Sequence, residues 1–332
     1  MKALVLNGFN TPFELKEIEK PVAQKGEVLV KIMASGVNPL DLKIKSGQAA
    51  HAKPKIPGAI LGIDMAGVVV AVGEDVTAFA VGDEVYGMVG GIAGVQGTLA
   101  EYAAVDANLL AIKPVNLSFK EAAALPLITI TAWEALVDRA NIQPGSTVLV
   151  HGGAGGVGHI AVQIAMSKGA VVYTTVSPEQ VAVVRNYGAI PIDRTKYDVE
   201  GYVVEFTKGE GFDVILDTIG GAVLDASFTA VKRYTGHVVS ILGWGSHSLA
   251  PLSFRSASYS GVFTLYPLIS GNGRRHHGEI LTEAAKLIEA GKMRPAVDER
   301  TFSLETIDEA YKAMEDGSAK GKIVISINGN NL

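Results

Sequence analysis

From Lys2 to about residue 120, apolar positions fall in short β-branched runs broken by Gly and Pro: KALVL, GEVLVKIMAS, GVVVAVG and GDEVYG. This spacing of strand and turn signals predicts an all-β barrel or sandwich. The style changes over Pro114 to Leu136. There Ser118-Phe-Lys-Glu121 fits a capping box and EAAALP continues as helix. From Ser146 the pattern alternates: TVLVHG, the helix GHIAVQIAMSKG closing at Gly169, then AVVYTTV, VAVVRNYG, AIPID, FDVILDTIG and GHVVSILG. Apolar strands alternating with helices predict a parallel sheet covered on both faces. This block runs to about Ser270. Gly271 to His277 is a polar stretch predicted as loop, LTEAAKLIEAGK an amphipathic helix, and KIVISI a closing strand. A lone terminal strand implies that the chain returns to its first domain. The sequence contains no internal repeat and no low-complexity segment.

A chain of 332 residues suits two domains of ordinary size. With 48% apolar and 19% charged residues, burial can offset the entropy of ordering. The net charge is −5 and no Lys/Arg-rich run occurs, so neither nucleic acid nor an anionic membrane is expected as a partner. A small-molecule substrate is. No apolar run approaches the roughly 18 to 20 residues that cross a bilayer, and MKALVLNGFN lacks a signal-peptide apolar block. The chain has no cysteine, which excludes disulfides, thiolate nucleophiles and Cys-ligated zinc. A cytoplasmic enzyme is expected, and the sequon Asn116-Leu-Ser118 is read as chance.

Gly153-Ala154-Gly155-Gly156-Val157-Gly158 satisfies G-x-G-x-x-G, follows the strand TVLVH and opens a helix. That setting makes it a dinucleotide cradle. Gly153 is expected to permit the tight turn, Gly155 to admit the pyrophosphate, and Gly158 to let helix and strand pack closely. The helix N-terminus offers free N–H groups to the phosphates. An NAD site usually carries an acid at the end of the second strand, but here TTVSPEQ places Ser177 there, with Glu179 in the following turn. Without that acid NADPH is favoured. Arg194, at a strand end, is a candidate cation for its 2′-phosphate, while Arg185 is read as a solvated helix residue.

With these residues, the chain resembles the medium-chain dehydrogenase/reductase superfamily, most closely its zinc-free quinone oxidoreductase (zeta-crystallin-like) branch. The resemblance covers nearly the whole chain. It runs through Asn38-Pro-Leu-Asp-Leu-Lys43, Pro57-Gly58, Gly62-Ile-Asp-Met-Ala-Gly67 and Val81-Gly-Asp-Glu-Val-Tyr-Gly87. It continues through Gly97-Thr-Leu-Ala-Glu-Tyr102, Ala122-Ala-Ala-Leu-Pro126 and Leu216-Asp-Thr-Ile-Gly-Gly221, and ends on LIEAGKMRP and GKIVISI. It implies an α/β protein with a GroES-like β-barrel domain (residues 1–121 and 272–332) and an inserted Rossmann domain with a doubly wound parallel sheet (residues 122–271). Cofactor and substrate would meet in the interdomain cleft. A homodimer is also implied, through the sheet edge near GHVVSILG to GVFTLY.

The departures carry chemistry. Zinc alcohol dehydrogenases have a Cys and a His where this chain has Asn38 and Ile63, and their structural zinc lobe is missing, so no metal site is expected. His276 and His277 are read as solvated loop residues. In relatives a Ser-x-x-Lys-like turn and a Tyr serve the 2′-phosphate; here the turn is Ser177-Pro-Glu-Gln180, with Arg194 at the Tyr position. Thr131, in Ile130-Thr-Ala-Trp133, is implied to line the nicotinamide, and Leu242, Phe263 and Leu265 to edge it. Without a Lewis acid an alcohol is hard to oxidise, whereas a quinone or α,β-unsaturated carbonyl is already electrophilic. Asn38 is the first candidate to donate a hydrogen bond to the developing oxyanion. Asp41 and Lys43 are weaker candidates, Asp64 is read as structural, and water or a cofactor hydroxyl as proton source. The expected activity is NADPH-dependent reduction of such acceptors. An enoyl-thioester reductase and a non-enzymatic nucleotide- or RNA-binding relative are the alternatives. The loop Gly87 to Gly94 is either a pocket wall or a flexible link.

Overall fold

The computed structural model describes residues 1–328. The chain divides into two compact units, one built from Met1–Leu127 plus the chain from Leu265 onward, the other from Ile128–Thr264.

The first unit is β-rich. Strands β1 (Lys2–Val5) and β2 (Glu14–Glu17) form a hairpin, and β3 (Glu27–Gly36) is the ten-residue spine of a seven-stranded sheet. Helix α1 (Pro39–Lys45) follows, then β4 (Asp64–Val72), β5 (Glu84–Met88), β6 (Tyr102–Asp106) and β7 (Leu110–Ile112). Short β-branched strands between glycine turns pack their apolar alternates inward, and Val30, Ile32, Val69 and Val85 are fully buried. Strand β3 pairs antiparallel with β4 and with β6. The predicted capping box closes α2 (Phe119–Ala123): the Glu121 carboxylate accepts the Ser118 N–H at 2.9 Å. Helix α2 lies so close to β3 that a Cβ on Gly36 would sit 2.2 Å from the Ala123 carbonyl oxygen. The helix therefore packs with the strands, and the first compact unit includes the chain through Leu127.

Helix α3 (Pro126–Trp133) and a π-helical turn, Glu134–Arg139, lead into the second unit. There β8 (Thr147–His151), α4 (Gly156–Ser167), β9 (Val171–Val176), α5 (Val181–Asn186), β10 (Ile190–Asp193) and α6 (Val199–Thr207) alternate. They are followed by β11 (Val214–Asp217), α7 (Ala222–Ala230), β12 (His237–Ser240), α8 (Ala250–Ser253) and β13 (Ser258–Gly261). The six strands are all parallel in the order β10-β9-β8-β11-β12-β13, a doubly wound sheet. The order reverses between β8 and β11, where such sheets bind ligands. Leu149, Phe212, Ile215, Phe228 and Val238 fill one buried layer. The edge strand β13 precedes GVFTLY and shares only Gly261 with it.

After α9 (Tyr266–Ser270) comes α10 (Arg274–Glu289). The polar loop predicted through His277 stops at Gly273, whose φ of +87° is left-handed. His277 is therefore helical and fully buried, not a solvated loop residue, while exposed His276 lies 3.6 Å from Glu279. Arg274 anchors the helix start by pairing with Asp106 at 3.0 Å. Gly278 brings the helix against β7, since a Cβ there would meet the Asn108 carbonyl at 2.6 Å. Strands β14 (Phe302–Ser303) and β15 (Val324–Ser326), with α11 (Ile307–Glu315) between them, complete the unit. Strand β15 pairs antiparallel with β3, so the chain end rejoins the first sheet. None of the described helices is long and apolar enough to cross a membrane.

One buried hydrogen bond stitches the returning chain to the early strands: Tyr86 Oη donates to the Leu281 carbonyl at 2.7 Å. Tyr86→Phe should lower unfolding free energy by about 1 kcal/mol, read from urea unfolding. An unchanged midpoint would show that the tie contributes nothing.

Candidate active site

The turn between β8 and α4 contains two kinds of glycine. Gly152 carries the left-handed φ, +73°, so the tight turn belongs to it and not to Gly153 as expected. Gly153 is needed for another reason: a Cβ there would lie 2.1 Å from Thr174 Oγ1, which accepts the Gly153 N–H at 2.8 Å. Gly158 lets α4 approach β8, because its Cβ would meet the Gly152 carbonyl at 2.1 Å. Gly155 differs from both. Its nearest neighbour would be 3.2 Å away, its φ is an ordinary −79°, and it is exposed. Internal packing demands glycine less strongly there than at Gly153 or Gly158, although a Cβ would still press on the Gly152 carbonyl. Gly155 caps α4, and the N–H groups of Gly156, Val157 and Gly158 open the helix without intrahelical acceptors. Ala154 is half-buried beside them. Such a cradle fits a pyrophosphate.

At the end of β9, Ser177 is 6% exposed and its N–H donates to Gln180 Oε1 at 3.3 Å. The sequence reading missed how Glu179 folds back. The Ser177 hydroxyl and, by charge, Arg194 hold its carboxylate below the ordinary range. Arg194 is exposed and lies where its N–H donates to the Val176 carbonyl, so β10 delivers it to the end of β9. Next to the loop, His151 is buried, its Nδ1 is 3.0 Å from Thr175 Oγ1, and burial pushes its imidazole down to about 4. It is neutral near pH 7.

Thr131 and Thr264 come together in the second unit, their hydroxyls 3.1 Å apart, and Thr264 donates to Glu134 Oε2 at 3.0 Å. Leu242 is half-buried, with its N–H on Ser240 Oγ; Phe263 is 38% exposed and Leu265 is buried. The Gly87–Gly94 loop is not a flexible link. Gly90 and Gly91 would drive a Cβ to 1.9 Å from the Gln96 carbonyl and 2.5 Å from the Gly62 carbonyl, so backbone packs on backbone there.

In the first unit, β-register assembles a buried ionic network. Gly36, at the end of β3, lies opposite Asp64, at the start of β4, and opposite Val324, at the start of β15. Asn38 and Lys322, each two residues away, are therefore brought together, Asn38 against Asp64 and Lys322 against Asn38. Asn38 Nδ2 donates to Asp64 Oδ2 at 2.9 Å, and Lys322 Nζ donates to Asn38 Oδ1 and, at 2.7 Å, to the Val37 carbonyl. Asp41 Oδ2 accepts the Asn38 N–H at 2.8 Å, and Asp64 Oδ1 accepts the Leu127 N–H at 2.9 Å, in the first turn of α3. Asn38, Asp41 and Asp64 are at most 1% exposed and Lys322 is 5% exposed. Burial pushes Asp41 up to about 7 and Asp64 up to about 6, opposed by Lys322 and by the hydrogen bonds each accepts. Burial likewise pulls the Lys322 ammonium below its ordinary range, and both aspartates pull it back.

This donor set does not fit zinc. An amide, the aliphatic Ile63 and an ammonium aimed at the amide oxygen supply neither thiolate nor imidazole. Lys43, weighed beside Asp41, has no bond to this network among the described residues. Lys322 was missed because nothing in GKIVISI marks its lysine as buried; only its register with β3 does.

The two kinds of glycine should separate experimentally. Gly158→Ala should cost about 1 to 3 kcal/mol of stability, whereas Gly155→Ala should cost under about 1 kcal/mol. Gly155→Ala should instead weaken dinucleotide binding about tenfold or more, ~1.4 kcal/mol. Urea unfolding and a fluorescence titration of the dinucleotide measure the two. Unaltered binding by Gly155→Ala would show that the ligand lies elsewhere.

Comparison with known proteins agrees with this geometry. Residues 24–115 match the alcohol dehydrogenase GroES-like domain, and residues 188–325 match the zinc-binding dehydrogenase family. The chloroplastic NADPH-dependent alkenal/one oxidoreductase of Arabidopsis thaliana is 34% identical over 98% of this chain and 79% of its own length. An alcohol dehydrogenase superfamily protein from Novosphingobium aromaticivorans has a solved structure with TM-score 0.96, 53% identity, and coverage of 99% of this chain and 100% of that one. The quinone oxidoreductase of Coxiella burnetii aligns with TM-score 0.83 and 29% identity over 99% of both chains. Similar over nearly its whole length, the chain belongs to the zinc-independent, quinone oxidoreductase-like family of medium-chain dehydrogenases/reductases, oxidoreductases that work with a nicotinamide cofactor.

Proposed function

We propose that the protein is an NADPH-dependent reductase of α,β-unsaturated carbonyl compounds, with quinones as a second class of acceptor. The observation that carries this reading is the network at Asn38. Residues that cannot ligate zinc leave no Lewis acid to lower an alcohol's pKa, so the acceptor must bring its own electrophilicity. The Arabidopsis and Coxiella relatives, an alkenal/one oxidoreductase and a quinone oxidoreductase, point the same way.

The bound nicotinamide supplies hydride. The chain's residues bind, orient and stabilise. The N–H groups of the Gly155–Gly158 turn would hold the pyrophosphate, and Thr131, Leu242, Phe263 and Leu265 would edge the nicotinamide. Ser177 and Arg194 would receive the 2′-phosphate, with Glu179 giving up its hold on both. An amide has two N–H donors, and Asn38 uses one on Asp64. Asn38 is fully buried in the free protein, so acceptor binding has to open a path to the second, which would then donate to the acceptor's carbonyl oxygen as negative charge develops there.

Steady-state NADPH oxidation with a 2-alkenal, 1,4-benzoquinone and an enoyl thioester tests the reading. Turnover of the alkenal or the quinone supports it, and inertness toward all three overturns it. Preference for the thioester would reassign the protein as an enoyl-thioester reductase. Asn38→Ala should lower kcat about a hundredfold while leaving the NADPH Kd unchanged, and wild-type turnover would remove Asn38 from the mechanism. Ser177→Asp should move preference toward NADH by about tenfold or more, since a second carboxylate beside Glu179 repels a 2′-phosphate. Equal NADPH affinity in that variant would place the phosphate site elsewhere.

A further inference from the structure

An amide side chain can occupy a site in two orientations related by a half-turn, and only one of them aims Asn38's hydrogens usefully. The charges around it decide. As built, Oδ1 accepts from the Lys322 ammonium and Nδ2 donates to the Asp64 carboxylate. A half-turn would set amide hydrogens against ammonium hydrogens and Oδ1 against Asp64 Oδ2, turning two attractions into two repulsions. Asp64 alone would favour the same orientation, but Lys322 also balances Asp64 and Asp41, which share its buried surroundings.

The segment that delivers Lys322 is clamped on several sides. Its N–H donates to the Ala296 carbonyl at 2.8 Å, its carbonyl accepts from Asp298 N–H at 3.0 Å, and Val37 N–H donates to the Ile323 carbonyl at 2.9 Å. Asp298 is itself gripped by Arg300 at 2.8 and 2.9 Å and accepts the Lys320 N–H at 2.7 Å. Gly321, with φ +125°, permits this close approach, since a Cβ there would lie 2.8 Å from the Ala296 carbonyl oxygen. A lysine held only for solubility would need none of these.

We infer that Lys322 is a positioning residue of the reaction: its ammonium locks the Asn38 amide with the carbonyl toward the charge, so that the N–H groups face Asp64 and the acceptor. The inference rests on the reading in which Asn38 donates to the acceptor. Lys322 does not touch the substrate; it acts through Asn38.

The test is a double-mutant cycle on the full chain, with NADPH and a 2-alkenal. Lys322→Met keeps most of the stem and removes the charge. Its kcat should fall at least tenfold while KM for NADPH stays within twofold. Added to Asn38→Ala, the same substitution should change kcat by less than twofold, because the group it positions is gone. A merely structural lysine would instead multiply its effect with that of Asn38→Ala. If calorimetry shows Lys322→Met unfolded at the assay temperature, Lys322→Met/Asp41→Asn, which also removes a buried carboxylate charge, is compared with Asp41→Asn alone and should show the same fall. Wild-type kcat in the folded variant, or a multiplicative cycle, overturns the inference. A wild-type protein inert toward every acceptor overturns instead the functional reading on which it rests.

Discussion

Two carboxylates and one ammonium enclosed at the end of a β-sheet must satisfy one another, and that requirement binds four distant parts of the chain. Asn38 opens α1, Asp64 opens β4, Leu127 lies in the first turn of α3, and Lys322 precedes β15. Buried ion pairs add little net stability, but removing one partner leaves a desolvated charge at a cost of roughly 3 to 5 kcal/mol. The network therefore specifies arrangement more than it adds strength. It sets where β3 may end, where β4 may start, and where the chain's last strand must return.

The second unit solves a different problem, packing backbone against backbone in the turn between β8 and α4. Here the constraint is steric. Gly153 and Gly158 are glycines because protein atoms lie where a Cβ would be, and at Gly155 the crowding is milder. Gly152 makes the turn with its left-handed φ, and Gly153 and Gly158 let the chain pack closely around it. The Thr174 hydroxyl accepts the Gly153 N–H and so supports the turn, and the neighbouring His151 is neutral.

Much of this was legible along the chain. β-Branched runs between glycines marked β3, β4 and β5, and the alternation after Ser146 marked a parallel sheet, because strand and helix periods survive in any context. The capping box at Ser118 and the strand-turn-helix setting of the glycine motif are local, and local chemistry reads locally. Where the reading slipped, a distant neighbour was responsible. Gly271 to His277 is polar enough for a loop, yet Arg274 finds Asp106 and Gly278 fits against Asn108, so the helix starts early. Glu179 does lie in the turn as expected, but that Ser177 and Arg194 act on its carboxylate is visible only in the structure.

By itself, then, the sequence determined the β-rich first region, the alternating αβ block and the strand-turn-helix setting of the glycine motif, each of which follows from residue type, period or spacing within one segment. The reading of Asn38 and Ile63 as standing where relatives hold zinc came from the family resemblance. Tertiary structure alone decided what stands with Asn38. Lys322 is 284 residues away from it along the chain, and only antiparallel register on β3 places its ammonium against that amide. Strand pairing is a contact between segments, set by which surfaces bury together, and no pattern within GKIVISI encodes its partner.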